Sequence, residues 1–194
     1  YELKGDIAVL RANNPPVNAL GHAVRSGLIA GLERADSEAK AVLIVGAGRT
    51  YFAGADIKVF GKPLLEPGLP GVCTRIERSP LPVISAIHGT ALGGGLEVAL
   101  GTHYRIAVPS AKVGLPEVHL GILPGAGGTQ RLPRLVGADK AIEMITSGRH
   151  VSAPEALELG ILDEVEEGEV EAIGLAYAQR ILDAGLGPRP VGQM

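Results

Sequence analysis

Two glutamates stand where a carboxylate could do acid–base work. Glu97 follows Gly93-Gly94-Gly95 by two residues and opens an apolar run that ends at Leu100. Three glycines ahead of a helix leave backbone N–H donors without partners at the positive end of its dipole, a setting that favours an anion. Taken alone, Glu97 reads better as an ordinary first-turn acidic residue that complements that dipole. Glu117 changes the balance. It stands among Gly114, Leu115, Pro116 and Val118, with no Lys or Arg nearer than Lys112. A carboxyl buried in such surroundings has its pKa raised. Two carboxylates in unlike environments can serve as one base and one acid. The plainer alternative is two unrelated surface glutamates.

Other candidates are weaker. Phe52-Ala53-Gly54-Ala55-Asp56-Ile57-Lys58 is built of small residues that leave backbone groups uncovered, so a flat ligand could lie along it. Val42-Leu43-Ile44-Val45-Gly46-Ala47-Gly48 resembles the opening of a dinucleotide site. That fingerprint needs a third glycine where Tyr51 stands, so the segment reads as a strand ending in a glycine turn. His22, His88, His103, His119 and His150 show no metal-binding spacing, so no metal is expected. No G-x-S-x-G elbow is present, which argues against a serine hydrolase. Cys73, the single cysteine, has no basic partner nearby in the sequence and reads as structural.

Positioning these residues requires an α/β core. Ile7–Leu10, Ala41–Val45, Pro82–Ile87 and Tyr104–Val108 are short apolar runs of strand type. The unbroken run at 41–45 predicts a strand buried on both faces. Leu20, Val24, Leu28 and Leu32, four residues apart, predict an amphipathic helix over 19–35. Helices are also expected at 71–78, 96–100, 127–135, 138–147, 154–159 and 169–184, and a loop over the Gly- and Pro-rich 60–71. Strands alternating with helices over the first two thirds, then a helical last third, give an α/β layered domain.

Composition narrows the function classes. The 194 residues are 46% hydrophobic and 20% charged, enough apolar material for a core and too much for a disordered tail. A net charge of −3 without a basic block makes nucleic acid and anionic membrane surfaces poor partners. No apolar run approaches the roughly 18 residues of a membrane span. One cysteine excludes an internal disulfide framework and fits a reducing compartment.

Taken together, Phe52–Lys58, Gly89–Glu97 and Gly114–Leu132 resemble the enoyl-CoA hydratase/isomerase (crotonase) superfamily, with similarity running from about residue 5 to residue 184. Asn14–Leu20 and His103–Ala107 look most like the N-terminal hydratase part of multifunctional β-oxidation enzymes, in which a 3-hydroxyacyl-CoA dehydrogenase follows on the same chain. The resemblance implies a crotonase-like fold of repeated ββα units over 1–184, with 185–194 as a linker or tail leading to further residues. It implies reversible hydration of a trans-2-enoyl-CoA, with the thioester oxygen held by the N–H groups of Ala55 and Gly94. Glu97 and Glu117 would be catalytic, and Ala53, Asp56 and Ile57 would line the adenine end of CoA through backbone groups. No cofactor beyond the substrate's own CoA is implied. Partners would be further copies of the chain, a trimer if it stands alone, or a fused dehydrogenase domain. The compartment would be bacterial cytoplasm, peroxisome or mitochondrion. Enoyl-CoA isomerisation, and non-catalytic acyl-CoA binding on the same fold, are the competing expectations.

Overall fold

The computed structural model describes residues 1–56, 63 and 65–194. A hairpin of β1 (Glu2–Lys4) and β2 (Ile7–Ala12) leads through α1 (His22–Glu38) to β3 (Ala41–Gly46). Then come α2 (Leu69–Glu77), β4 (Val83–Ile87), the short β5 (Thr90–Leu92) and α3 (Gly94–Gly101). β6 (Tyr104–Ala107) and β7 (Lys112–Gly114) precede a 3-10 turn at Pro116–Leu120. The remainder is α4 (Gly128–Val136), α5 (Ala138–Ser147), β8 (Val151–Ser152), α6 (Ala153–Glu158), β9 (Glu164–Val165), α7 (Val170–Asp183) and a last 3-10 turn at Val191–Gln193.

Six strands form the main sheet in the order β1-β2-β3-β4-β6-β9, parallel from β2 onward. Because strand side chains alternate between faces, the unbroken run in β3 feeds two cores. Ala41, Leu43 and Val45 join Ile173, Tyr177, Ala178 and Ile181 of α7 on one face. Val42 and Ile44 join Leu28 and Leu32 of α1 and Val72, Cys73 and Ile76 of α2 on the other. Full burial of each such Leu or Ile is worth roughly 1.5–3 kcal/mol, so β3 stabilises both cores at once.

The helix expected over 19–35 begins three residues later. Gly21 is the N-cap of α1, and Leu20 lies outside the helix although fully buried. The reason is local: the Leu20 amide donates to the Gly54 carbonyl at 2.9 Å, which holds the backbone out of helical geometry. The loop expected at 60–71 lies partly outside the described residues, and its last three residues belong to α2.

A second sheet, β5-β7-β8, was not legible in the sequence because its strands have only two or three residues each. It decides the site. β5 and β7 run parallel with Leu92 opposite Gly114, and the Gly93 amide donates to the Gly114 carbonyl at 2.9 Å. β5 therefore delivers the chain into α3 next to the place where β7 delivers it into the 116–120 turn. The segment before Glu97 and the segment before Glu117 are thereby pinned side by side.

Candidate active site

α3 is eight residues long and buried throughout, so Glu97 is a carboxylate inside an otherwise apolar helix. Its Oε1 accepts hydrogen bonds from the amides of Ala126 at 2.7 Å and Gly128 at 2.8 Å. Burial pushes the Glu97 carboxyl above the ordinary range, while those two amides and the charge of Arg131 pull the other way. Glu117 is the second residue of the 3-10 turn that Pro116 opens and is 9% exposed. Its Oε2 is buried and has no hydrogen-bond partner among the described residues. Burial, reinforced by the negative charge of Glu97, raises its pKa to about 7. A buried polar atom left unpaired in a folded protein calls for a functional explanation.

The 52–56 segment is brought to the same place by backbone bonds. Leu92 donates to the Phe52 carbonyl at 3.1 Å and Ala53 to the Val17 carbonyl at 3.1 Å. α3 sits so close that a β-carbon at Gly95 would lie 2.1 Å from the Phe52 oxygen, so only glycine fits there. A β-carbon at Gly94 would lie 3.4 Å from the Ala55 nitrogen. Gly94 is the first residue of α3, and its N–H therefore has no intrahelical acceptor.

Around these groups lies a cleft of about 630 Å³, whose lining includes Ala53, Gly54, Ala55, Asp56, Gly93, Gly94, Glu97 and Glu117. Leu20, Leu69 and Pro70 line it as well, and Leu120, Ile122 and Leu123 stand exposed beside it, Leu123 at 72%. Of the residues singled out from sequence, Ala53, Ala55, Asp56, Gly94, Glu97 and Glu117 thus share one cleft, and Ile57 lies outside the described residues. Among the described residues, no group of three or more His, Cys, Asp or Glu could hold a metal ion. No described helix is long and apolar enough to cross a membrane. Cys73 is buried and its thiol is pushed up to about 12, chiefly by burial and then by the charge of Glu97, which is no setting for a nucleophile. Tyr51, at the place that broke the dinucleotide pattern, is buried with its hydroxyl 2.7 Å from Ser85 Oγ.

A second cleft, of about 570 Å³, lies between the ends of β2 and β3 and the first turn of α7. Arg11 is bonded there to Glu171 at 2.7 Å, and Glu169 caps α7. Among the described residues it brings together no pair of buried carboxyls like Glu97 and Glu117.

Sequence reasoning missed Arg25 and Arg131. Arg25 lines the first cleft and donates to the carbonyls of Leu20, Leu65 and Pro67, so it fixes one wall. A signal existed: Arg25 sits directly beside Val24 on the apolar stripe of α1. Arg131 is taken up below.

The Glu117 carboxyl also bears on stability. Its folded pKa of about 7 lies above the usual carboxylate value, so the folded state holds a proton that the unfolded chain releases. Stability contributed by this group is complete below the unfolded pKa, near 4.3, and falls as pH rises through about 7. Glu117→Gln should therefore gain on the wild type by on the order of 2 kcal/mol between pH 5 and pH 8, since each pKa unit is worth about 1.4 kcal/mol. Urea unfolding at the two pH values measures this, and a difference that does not change with pH would exclude the buried neutral carboxyl.

The enoyl-CoA hydratase/isomerase family profile matches residues 2–186. The chain is 49% identical over 197 residues to the peroxisomal bifunctional enzyme of Danio rerio, covering 100% of this chain and 27% of that protein. It is 46% identical over 181 residues to the probable enoyl-CoA hydratase of Bacillus subtilis (strain 168), covering 89% of this chain and 70% of that one. The crystal structure of enoyl-CoA hydratase from Bacillus anthracis superimposes with a TM-score of 0.81 at 37% identity, over 93% of this chain and 74% of that one. The chain thus spans about a quarter of the length of its peroxisomal relatives and about three quarters of that bacterial enzyme. Its fold is crotonase-like, and with the profile match covering nearly its whole length, the chain belongs to the enoyl-CoA hydratase/isomerase family.

Proposed function

We propose that this chain adds water reversibly across the double bond of a trans-2-enoyl-CoA, giving a 3-hydroxyacyl-CoA. The observation that carries the reading is the pair of unlike carboxyls in one cleft: Glu97 held by two amides, and Glu117 buried and unpaired beside it. Hydration needs a base for water and an acid for the α-carbon. Glu97, with its hydrogen bonds at Oε1, is the base. Glu117, with a pKa of about 7, carries the proton. As water adds, negative charge grows on the thioester oxygen, and the N–H groups of Ala55 and Gly94 donate to that oxygen as an oxyanion hole. The family resemblance would put Ala53 and Asp56, which line the cleft, against the CoA moiety, and the apolar Leu120, Ile122 and Leu123 offer contact to the ester's flexible arm. Proton transfer at both ends is worth about 100- to 10,000-fold. The proposed reaction, a proton transfer and water addition, calls for no redox cofactor or metal.

Turnover of crotonyl-CoA by the purified protein, followed as loss of the conjugated thioester absorbance, tests this directly. A 3-enoyl-CoA tested in parallel reads out isomerisation, and tight binding without turnover would make the chain an acyl-CoA-binding domain. A further expectation concerns pH. The competent enzyme carries one proton shared by the two glutamates, so kcat/KM is bell-shaped, with its basic limb near 7. Net hydration neither takes up nor releases a proton. The profiles of hydration and of dehydration of 3-hydroxybutyryl-CoA must therefore have the same limbs. A shared basic limb lying far from 7 would mean that Glu117 is not the group that carries the proton.

A further inference from the structure

The turn that holds Glu97 is itself held from beneath. Ala126 and Gly128, the two residues whose amides bind Glu97 Oε1, flank Gly127, whose φ of +102° is one that side chains rarely adopt. Against Gly127 lies the Arg131 guanidinium: a β-carbon there would be 2.2 Å from Nη1. Nη1 donates to the Ala126 carbonyl at 3.0 Å. The other edge of the guanidinium forks onto Glu77, with Nε to Oε1 at 3.1 Å and Nη2 to Oε2 at 2.8 Å. Arg131 is 8% exposed and Glu77 closes α2, so the pair ties α2 to the turn at the start of α4. Burial pushes the Glu77 carboxyl up, but Arg131 and the Gly192 amide, 2.8 Å from Oε1, overcome it and leave it below the ordinary range.

We infer that the Arg131–Glu77 pair is a positioning device for the hydration step: it sets the Ala126–Gly128 turn, and through those two amides it aims the Glu97 carboxylate. The inference rests on the reading of Glu97 as the base. The connection is short and specific. The Ala126 carbonyl faces Arg131 while the amides on either side of Gly127 face Glu97, so losing the grip on one side frees the turn to rotate away from the other. Arg131 is not among the residues that line the cleft. Its loss should therefore act on turnover and spare binding, because a catalytic group displaced by about 1 Å can cost on the order of 100-fold. Bidentate geometry is part of the device, since a lysine ammonium cannot span Glu77 with both edges and still reach Ala126 in the same way.

The test compares Arg131→Met, Arg131→Lys and the double variant Glu77→Gln/Arg131→Met with the wild type. The double variant guards against misfolding caused by an unpaired buried charge. Each should lower kcat for crotonyl-CoA by roughly 10- to 100-fold and leave KM within about threefold, with Arg131→Lys the least affected. The decisive measurement is a cycle with Glu97→Gln. Once Glu97 can no longer act as a base, Arg131→Met should cost less than about twofold more. A loss of kcat as large in the Glu97→Gln background as in the wild type would overturn the inference, as would a fall in Tm with unchanged kcat. A crystal structure of Arg131→Met gives a readout independent of turnover. The turn should be displaced and Glu97 Oε1 should lose at least one of its two amides. An undisturbed turn would refute the inference even if the wild type proved inactive on enoyl-CoA, whereas a displaced turn in an inactive protein would refute only the reaction.

Discussion

Replacing either glutamate by glutamine should cut hydration of crotonyl-CoA at least about 100-fold, while thioester binding stays within about tenfold, or 1.4 kcal/mol. Gln keeps the size of the side chain and, for Glu97, an oxygen that can still accept from Ala126 and Gly128. What is lost is basicity. Both of those bonds go to Oε1, which leaves Oε2 as the atom that can take a proton from water. For Glu117 the loss is of the transferable proton itself, which a carboxyl with a pKa of about 7 holds near neutrality and can still surrender. Because water addition and proton delivery are parts of one event, the glutamates act as a unit. The double variant should be far less impaired than the product of the two single losses. Any isomerase activity should separate them, since moving a proton along the acyl chain requires Glu117 more than Glu97. Thermal melts should show both single variants folded. If Glu97→Gln hydrates crotonyl-CoA at the wild-type rate, the two-glutamate mechanism is wrong, and a proton shuttle on Glu117 alone becomes the reading.

The parts of the molecule that were legible in the sequence are those governed by local periodicity. β3 reads as a strand buried on both faces because five consecutive apolar residues admit little else, and its alternate residues do feed two cores. α5 appears with the expected bounds because its apolar spacing and flanking glycines agree. The start of α1 was misplaced because a single tertiary hydrogen bond, from Leu20 to Gly54, overrides a pattern that would otherwise continue the helix. β5 and β7 could not be seen at all: three residues carry no period, and their pairing joins Thr90–Leu92 to Lys112–Gly114 across some twenty residues. Yet that pairing is what brings the two glutamate-bearing segments together. That Gly94, Glu97 and Glu117 merit attention was readable from a glycine cluster and an isolated acidic residue, and Ala53, Ala55 and Asp56 came as site residues only with the family resemblance; why these residues share one cleft was not readable. Arg131 was hidden for a related cause. Its role depends on Glu77, more than fifty positions earlier, and on the Ala126 carbonyl, neither of which leaves a trace at a fixed spacing.

Gly94→Pro should reduce kcat/KM for hydration by about 100- to 1,000-fold relative to Gly94→Ala, the loss expected on removing one oxyanion donor, about 3 kcal/mol. The comparison is set by where Gly94 lies. As the first residue of α3 it gives no N–H to the helix, and proline is well tolerated at that position, so the substitution removes a donor without breaking an intrahelical bond. Proline also brings a β-carbon, and any β-carbon here would meet Leu69 Cδ2 at 2.6 Å. That contact is with the free end of a flexible side chain, which can turn aside. Gly94→Ala introduces the same β-carbon and keeps the N–H, so it carries the steric cost alone. The difference between the two variants then reports the donor. It should appear in turnover more than in binding, because the ground-state thioester oxygen carries little charge and the hydrogen bond strengthens only as the enolate-like oxygen develops. Circular dichroism and melting curves identify a proline variant that has failed to fold. A folded Gly94→Pro protein as active as Gly94→Ala would remove Gly94 from the oxyanion hole. Ala55 would then be left as the one proposed donor, too little for the charge that hydration generates, and the thioester would have to sit elsewhere in the cleft.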